Sequence, residues 1–131
     1  MANKILRLRT DLTFEEIEVS SKVVQYKELR NAVGNWIEHV TFNRELDENG
    51  IDVWCDEEYR IKNSKPTVVV IDDNRKTIDW LGGNLVFTAK SRNYDGESYS
   101  LSEEQIIIIK YVLSRKAYLN SGDLVRLMDW K

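Results

Sequence analysis

The single cysteine and the single histidine of the chain, Cys55 and His39, are the first residues with a recognisable chemistry. A thiol beside an imidazole can be activated as a thiolate nucleophile. Both residues lie on adjoining predicted strands, but the register that aligns the apolar faces places His39 across from Trp54 rather than Cys55. Cys55 is therefore expected on the apolar side of its strand, where a cysteine is more often an inert core residue.

Three aspartates around an apolar run form a second candidate site. Asp72 and Asp73 directly follow the apolar run 68–71, and Asp79 lies further along the chain. The paired carboxylates could hold a magnesium ion with Asp79 as a third ligand. The alternative is that Asp72 and Asp73 are turn residues that hydrogen-bond their own backbone. No other cofactor signature is present, because the glycine pair at 82–83 lacks the spacing and the lysine of a phosphate loop.

Seven acids without an intervening base occupy the chain between Arg44 and Arg60. They are Glu45, Asp47, Glu48, Asp52, Asp56, Glu57 and Glu58, and Trp54 lies among them. An aromatic anchor surrounded by carboxylates suits a protein partner with a basic surface, whereas the alternative is a solvated loop that aids solubility. The net charge of −3 argues against direct nucleic-acid binding, which needs a positive groove.

Length and composition predict a single soluble domain over residues 1–131. Hydrophobic residues make up 42% of the chain and charged residues 31%, as in average globular proteins. The longest apolar runs have four residues, far fewer than the roughly 20 needed to cross a bilayer. Since no signal peptide is recognisable and one cysteine cannot form an internal disulfide, we expect a cytoplasmic protein without membrane contact.

The segment 65–89 organises the predicted fold, because its apolar runs 68–71 and 85–87 are typical of core strands. A short first strand or an arm is predicted near residues 5–8. A further strand is predicted near 17–19, in preference to the helix that a Thr13–Glu16 capping box would favour. Residues 36–42 and 51–55 predict a hairpin with Phe42 facing Ile51 and Val40 facing Val53, joined by a polar loop.

Helical spacing predicts a helix near 22–33 that stops at Gly34, a second over 103–116 capped by Ser102 with Gln105, and a short final helix over 123–130. The expected fold is α+β, with a small, mostly antiparallel sheet packed by the first helix and this C-terminal pair. The segment after Asp73 is predicted to be a helical turn or irregular. The helix over 103–116 is apolar over a wide band, so the final helix or a second copy must cover it.

The order of several motifs resembles a family of small proteins of unknown function that is common in phages and other mobile elements. The motifs are Leu29, Ala32, Val33 and Gly34 before Trp36, Ile37 and Glu38, then 53–58, Lys65 with Pro66, Gly82 with Gly83 before 85–87, Asp95 with Gly96, and 101–105. The resemblance covers roughly residues 15–105. The basic start of the chain, with Lys4, Arg7 and Arg9, and the last predicted helix lie outside it. The resemblance implies an α+β domain without established catalytic residues.

These observations predict an accessory protein that acts in the cytoplasm of a bacterial host. We expect it to bind and inhibit a host protein with a basic surface, such as a defence nuclease of the CRISPR or restriction type, through the acidic segment. One alternative is a small metal-dependent or thiol enzyme. Another is a regulatory or assembly module that dimerises through the helix over 103–116.

Overall fold

The computed structural model describes residues 2–41, 43–91 and 96–130, which form three helices and eleven strands. The architecture is α+β with mostly antiparallel sheets, as the sequence predicts. The elements are β1 Asn3–Leu8, β2 Phe14–Val19, β3 Val23–Val24, α1 Tyr26–Val33, β4 Ile37–Val40, α2 Arg44–Glu48, β5 Ile51–Asp56, β6 Pro66–Ile71, β7 Thr77–Gly82, β8 Leu85–Lys90, β9 Ser98–Tyr99, α3 Glu103–Val112, β10 Lys116–Tyr118 and β11 Leu124–Asp129.

The first sheet has the strand order β2-β1-β8-β5-β4, with β9 beside β8 and β3 beside β9. All of its strand pairs are antiparallel. The β4–β5 hairpin has Val40 opposite Val53 and His39 opposite Trp54, so the predicted register is confirmed. The predicted partner of Ile51, Phe42, lies outside the described residues.

The second sheet has the order β10-β11-β6-β7, and its central pair, β6 with β11, is parallel. The prediction of a helix over 123–130 is therefore wrong. Leu124, Leu127 and Met128 have helical spacing, but the segment pairs with β6 and buries Val125 and Met128 to within 1% exposure. A strand buried in this way shows no clean alternation, so spacing alone cannot distinguish it from a helix.

The main hydrophobic core joins both sheets to α2 and α3. The two predicted core strands are confirmed as buried, but they lie in different sheets: Phe87 of β8 and Val70 of β6 belong to one cluster with Ile109 of α3. A smaller cluster lies between α1 and the other face of the first sheet, around Ile5 and Val86.

The first helix is shorter than predicted. It begins at Tyr26 rather than near residue 22, because Val23–Val24 pairs with β9 instead. The predicted stop is confirmed, since Gly34 ends the helix with a φ of 98° that favours glycine.

The capping box of α3 is also confirmed. The Ser102 hydroxyl accepts a 3.1 Å hydrogen bond from the backbone N–H of Gln105, and the Gln105 side chain accepts one of 3.0 Å in return. This helix ends at Val112 rather than 116, because residues 116–118 form β10.

Two connecting segments differ from the sequence prediction. The predicted loop over 43–50 contains α2, and the segment after Asp73 contains β7 rather than a helical turn. The Asn43 side chain caps α2 by accepting a 2.9 Å bond from the Leu46 N–H. Within the described ranges, no helix is long and apolar enough to cross a lipid bilayer.

Candidate functional site

The acidic segment forms two groups rather than one continuous surface. Glu45, Asp47 and Glu48 belong to α2, which precedes β5, whereas Asp56, Glu57 and Glu58 lie at the far end of that strand. At about 3.4 Å per residue, the six residues of β5 separate the two groups by about 17 Å.

At the end of the acidic segment that contains α2 and the start of β5, here called the α2 end, Asp47 and Asp52 form ion pairs within the fold. Lys90 Nζ lies 2.6 Å from an Asp47 carboxylate oxygen and 3.1 Å from one of Asp52, which also lies 2.8 Å from His39 Nε2. Partial burial by itself would lower the pKa of Lys90, but its hydrogen bonds to these two carboxylates outweigh that effect and raise it. Glu45 and Glu48 are exposed, and their side chains have no partner among the described residues.

The far end of β5 is built around a buried carboxylate. Asp56 is only 8% exposed and accepts hydrogen bonds from Lys62 at 2.8 Å, Asn35 at 3.0 Å and the Glu58 N–H at 2.8 Å. Burial alone would raise the pKa of Asp56, but these hydrogen bonds outweigh it and hold the pKa below its ordinary value. Asp56 is thus a structural residue, and Glu57 is the exposed acid of this end.

Trp54 is half-buried and makes contacts within the fold. Its indole N–H donates a 2.8 Å hydrogen bond to the Thr88 hydroxyl, and its ring packs against the cluster between α1 and the first sheet. The ring also meets the His39 imidazole edge to face, with 5.2 Å between centroids.

A groove of about 630 Å³ opens where the parallel strands β6 and β11 end. The two strands end side by side because the Trp130 N–H donates a 3.0 Å bond to the Ile71 carbonyl. Asn43 attaches α2 to the same edge, since its side-chain amide donates a 2.7 Å bond to the Asp129 carbonyl. The groove is lined by Asn43, Glu45, Ile71, Asp72, Asp73, Arg75, Tyr111, Val112, Ser114, Arg115, Asp129 and Trp130.

The groove combines a net negative charge with exposed aromatic rings. The described lining residues carry four carboxylates and two guanidinium groups, which leaves two net negative charges among them, and Arg115 already pairs with Asp129. Tyr111 is 73% exposed and Trp130 is 54% exposed. Such a surface suits a cationic group better than an anion, because carboxylates and ring faces both attract positive charge.

The proposed metal ligands are only partly brought together. Asp72 and Asp73 both line the groove, but an Asp72 carboxylate oxygen accepts 2.9 Å bonds from the N–H groups of Asn74 and Lys76, as expected for a turn residue. Asp79 pairs with Arg60 instead. Over the described ranges, no group of three or more histidine, cysteine or acidic side chains is arranged to hold a metal ion.

The sheet geometry separates Cys55 from His39, as the predicted register implies. Glu38, not His39, lies opposite Cys55, and alternation along the strands places the cysteine and the histidine on opposite faces. Cys55 is fully buried, and burial raises the pKa of its thiol to about 12. A thiol in this state is not a nucleophile near neutral pH.

Sequence reasoning identified Glu45, Asp72 and Asp73, but it did not place them in one site with Tyr111 and Trp130. One signal in the sequence pointed to Tyr111. The predicted helix over 103–116 has more apolar residues than one sheet face covers, so some of them are expected to be exposed. Ile107 and Tyr111, one helical turn apart, are 65% and 73% exposed.

A family model described as a domain of unknown function, DUF3846, matches residues 3–114. The chain belongs to the DUF3846 family. The match begins at β1, so the basic start lies inside the family domain, contrary to the narrower resemblance over 15–105. No curated protein and no solved structure matches the chain.

The groove spans the boundary of the DUF3846 match. The β6–β7 turn, α2 and Tyr111 lie inside the matched residues, whereas Arg115, Asp129 and Trp130 lie beyond them. Residues at the base of the β10–β11 hairpin therefore complete the lining of the groove that the matched residues begin.

Proposed function

We propose that this DUF3846 protein is a non-enzymatic module that binds and inhibits another protein through a basic surface of that partner. One observation carries the proposal: Glu45 and Glu48, whose carboxylates have no partner among the described residues, stand on α2 beside a groove edged by exposed aromatic rings. Exposed charge steers association with an oppositely charged patch, and aromatic residues supply the contact area that anchors a partner.

The resemblance to small phage and mobile-element proteins suggests which partner this is. In that setting, the partner is a host protein in the bacterial cytoplasm, such as a nuclease of a defence system. A nuclease carries a cationic groove for nucleic acid, and carboxylates held on a short helix can occupy such a groove in place of phosphates. We assign this contact to the α2 end of the acidic segment, because Asp56 is buried and hydrogen-bonded and the Trp54 indole is hydrogen-bonded to Thr88.

Affinity capture from a bacterial host lysate tests this proposal. The wild type is compared with the Glu45→Lys/Glu48→Lys variant and with a charge-matched control, Glu18→Lys/Glu57→Lys, whose substitutions lie away from the α2 end. We expect one basic protein to be retained by the wild type and the control, lost by the first variant, and released at high salt because exposed charge contacts are screened. A complex that is insensitive to salt, or equal loss in both variants, contradicts the proposal.

A second candidate function is a dimeric regulatory or assembly module. The observation that favours it is the apolar strip of Ile107 and Tyr111 on the outer face of α3. Two exposed side chains are a small area for a stable dimer, which usually buries about 800 Å² per partner. We therefore rank this function below partner inhibition.

A further inference from the structure

We propose that the groove at the ends of β6 and β11 receives an arginine side chain of the partner protein. This inference rests on the proposed function and names the group that the partner inserts. The guanidinium stacks on the exposed rings of Tyr111 and Trp130, and the carboxylates of the rim, including Glu45, balance its charge.

Charge complementarity is the first reason for a cationic occupant. Among the residues that the structure describes, the lining carries two more carboxylates than guanidinium groups, and Glu45 has no partner there. Among the described lining residues, the cations that a carboxylate or phosphate ligand could meet are Arg115, which already pairs with Asp129, and Arg75. The groove therefore selects a positive group over an anionic one.

The aromatic rings are the reason for arginine rather than lysine. A guanidinium is planar and weakly hydrated, so it stacks on tyrosine and tryptophan faces and still donates hydrogen bonds in its plane to carboxylates. The fold already uses this pairing elsewhere, since the Arg30 guanidinium lies 3.6 Å from the centroid of the Trp36 ring. The Arg115–Asp129 pair shows that a guanidinium is accommodated at the groove itself.

Titration with a short capped peptide, Gly-Arg-Arg-Gly, tests the inference by backbone and indole NMR at low salt. Matched peptides replace both arginines by lysine or by uncharged citrulline. We expect shifts at residues 72–75 and 111–115 and at the Trp130 indole, with the arginine peptide binding most tightly and the citrulline peptide not binding. Equal binding of the citrulline peptide, or shifts centred on Glu57 instead, overturns the inference.

Point variants separate ring stacking from general charge attraction. The double variant Tyr111→Ala/Trp130→Ala should lower the affinity for the arginine peptide by about 5- to 30-fold, which is the usual strength of cation–π contacts at two partly exposed rings. Tyr118→Ala is the control, because it removes an equally exposed tyrosine (74%) outside the groove. Unchanged affinity in the double variant overturns the inference.

Removing the positive charge of Arg75 should tighten the binding of the arginine peptide. Arg75 lines the groove with a left-handed φ of 61°, which asparagine tolerates, so Arg75→Asn removes one positive charge without new backbone strain. We expect it to tighten arginine-peptide binding about 2- to 5-fold, as for one partly screened charge pair. A weaker complex would mean that Arg75 itself contacts the ligand and that the groove is not a cation site.

Failure of this inference is distinguishable from failure of the proposed function. If the peptide does not bind but partner capture still depends on Glu45 and Glu48, the groove inference falls and inhibition through α2 stands. If the peptide binds the groove but captured protein is unaffected by the Glu45→Lys/Glu48→Lys variant, the proposed function falls. Shifts of the Trp130 indole with protein concentration alone would mean that a second copy fills the groove, which overturns the arginine assignment.

Discussion

Two neighbouring isoleucines of α3 provide the sharpest test of how this helix is covered. Ile109 is fully buried in the core that joins both sheets, whereas Ile107 is 65% exposed. Their truncation to alanine removes the same atoms from one helix, so a difference in the free energy of unfolding reports burial alone. We therefore compare Ile109→Ala with Ile107→Ala.

The expected magnitudes are well separated. Ile109→Ala loses the transfer free energy of a buried side chain and leaves a cavity, which together cost about 3 kcal/mol. That loss is a large part of the roughly 5–15 kcal/mol that stabilises an ordinary domain. Ile107→Ala should change the free energy of unfolding by no more than about 0.5 kcal/mol, because an exposed site loses little and alanine favours the helix.

Urea unfolding followed by tryptophan fluorescence measures both variants. The midpoint for Ile109→Ala should fall by about 1–2 M urea with an unchanged slope, whereas that for Ile107→Ala should stay near the wild type. Repeating the series across a wide range of protein concentrations tests the dimeric alternative. If the loss of stability caused by Ile107→Ala grows with protein concentration, a second copy buries this face. If it equals the loss caused by Ile109→Ala at every concentration, the burial described for α3 is refuted.

Two further predictions concern the buried groups Cys55 and Asp56 at the C-terminal end of β5. Cys55 should react with iodoacetamide near neutral pH only after denaturant is added, because burial raises the pKa of its thiol to about 12; rapid labelling of the folded protein would contradict this. Asp56→Asn should lower the free energy of unfolding at neutral pH by about 1–3 kcal/mol, since it weakens the hydrogen bonds from Lys62 and Asn35. Because the folded-state pKa of Asp56 is lowered, this stabilisation is present above its ordinary pKa of 3.8 and is lost as the pH falls below it, so urea midpoints of wild type and variant should converge in acid.

Elements whose signals are local could be predicted from the sequence. The capping box of Ser102 with Gln105 and the stop at Gly34 depend on residues within one helical turn, and both predictions are confirmed. The register of the β4–β5 hairpin followed from aligning two apolar faces, and Val40 does face Val53. These features need no knowledge of distant parts of the chain.

Elements decided by distant pairing could not be predicted in this way. The segment 123–130 has apolar residues at helical spacing, and only its pairing with β6, far earlier in the chain, makes it a strand. Likewise, Val23–Val24 was predicted in the first helix but forms a strand, because it pairs with β9. The groove shares this origin, since its lining comes from segments that meet only when β6 and β11 align.

The parallel pairing of β6 with β11 therefore links the stability of the fold to the candidate site. β11 covers the flank of β6, whose residues Val68, Val69 and Val70 are buried to 2% exposure or less, and the same pairing sets Asp129 and Trp130 at the groove. Deleting the β10–β11 hairpin would expose this strand edge along with the site, so the loss of binding would not identify its cause. Substitution of the exposed rings of Tyr111 and Trp130 leaves the pairing intact, because the Trp130 contact to Ile71 is made by the backbone N–H. Side-chain variants at the groove can thus test function in a folded protein.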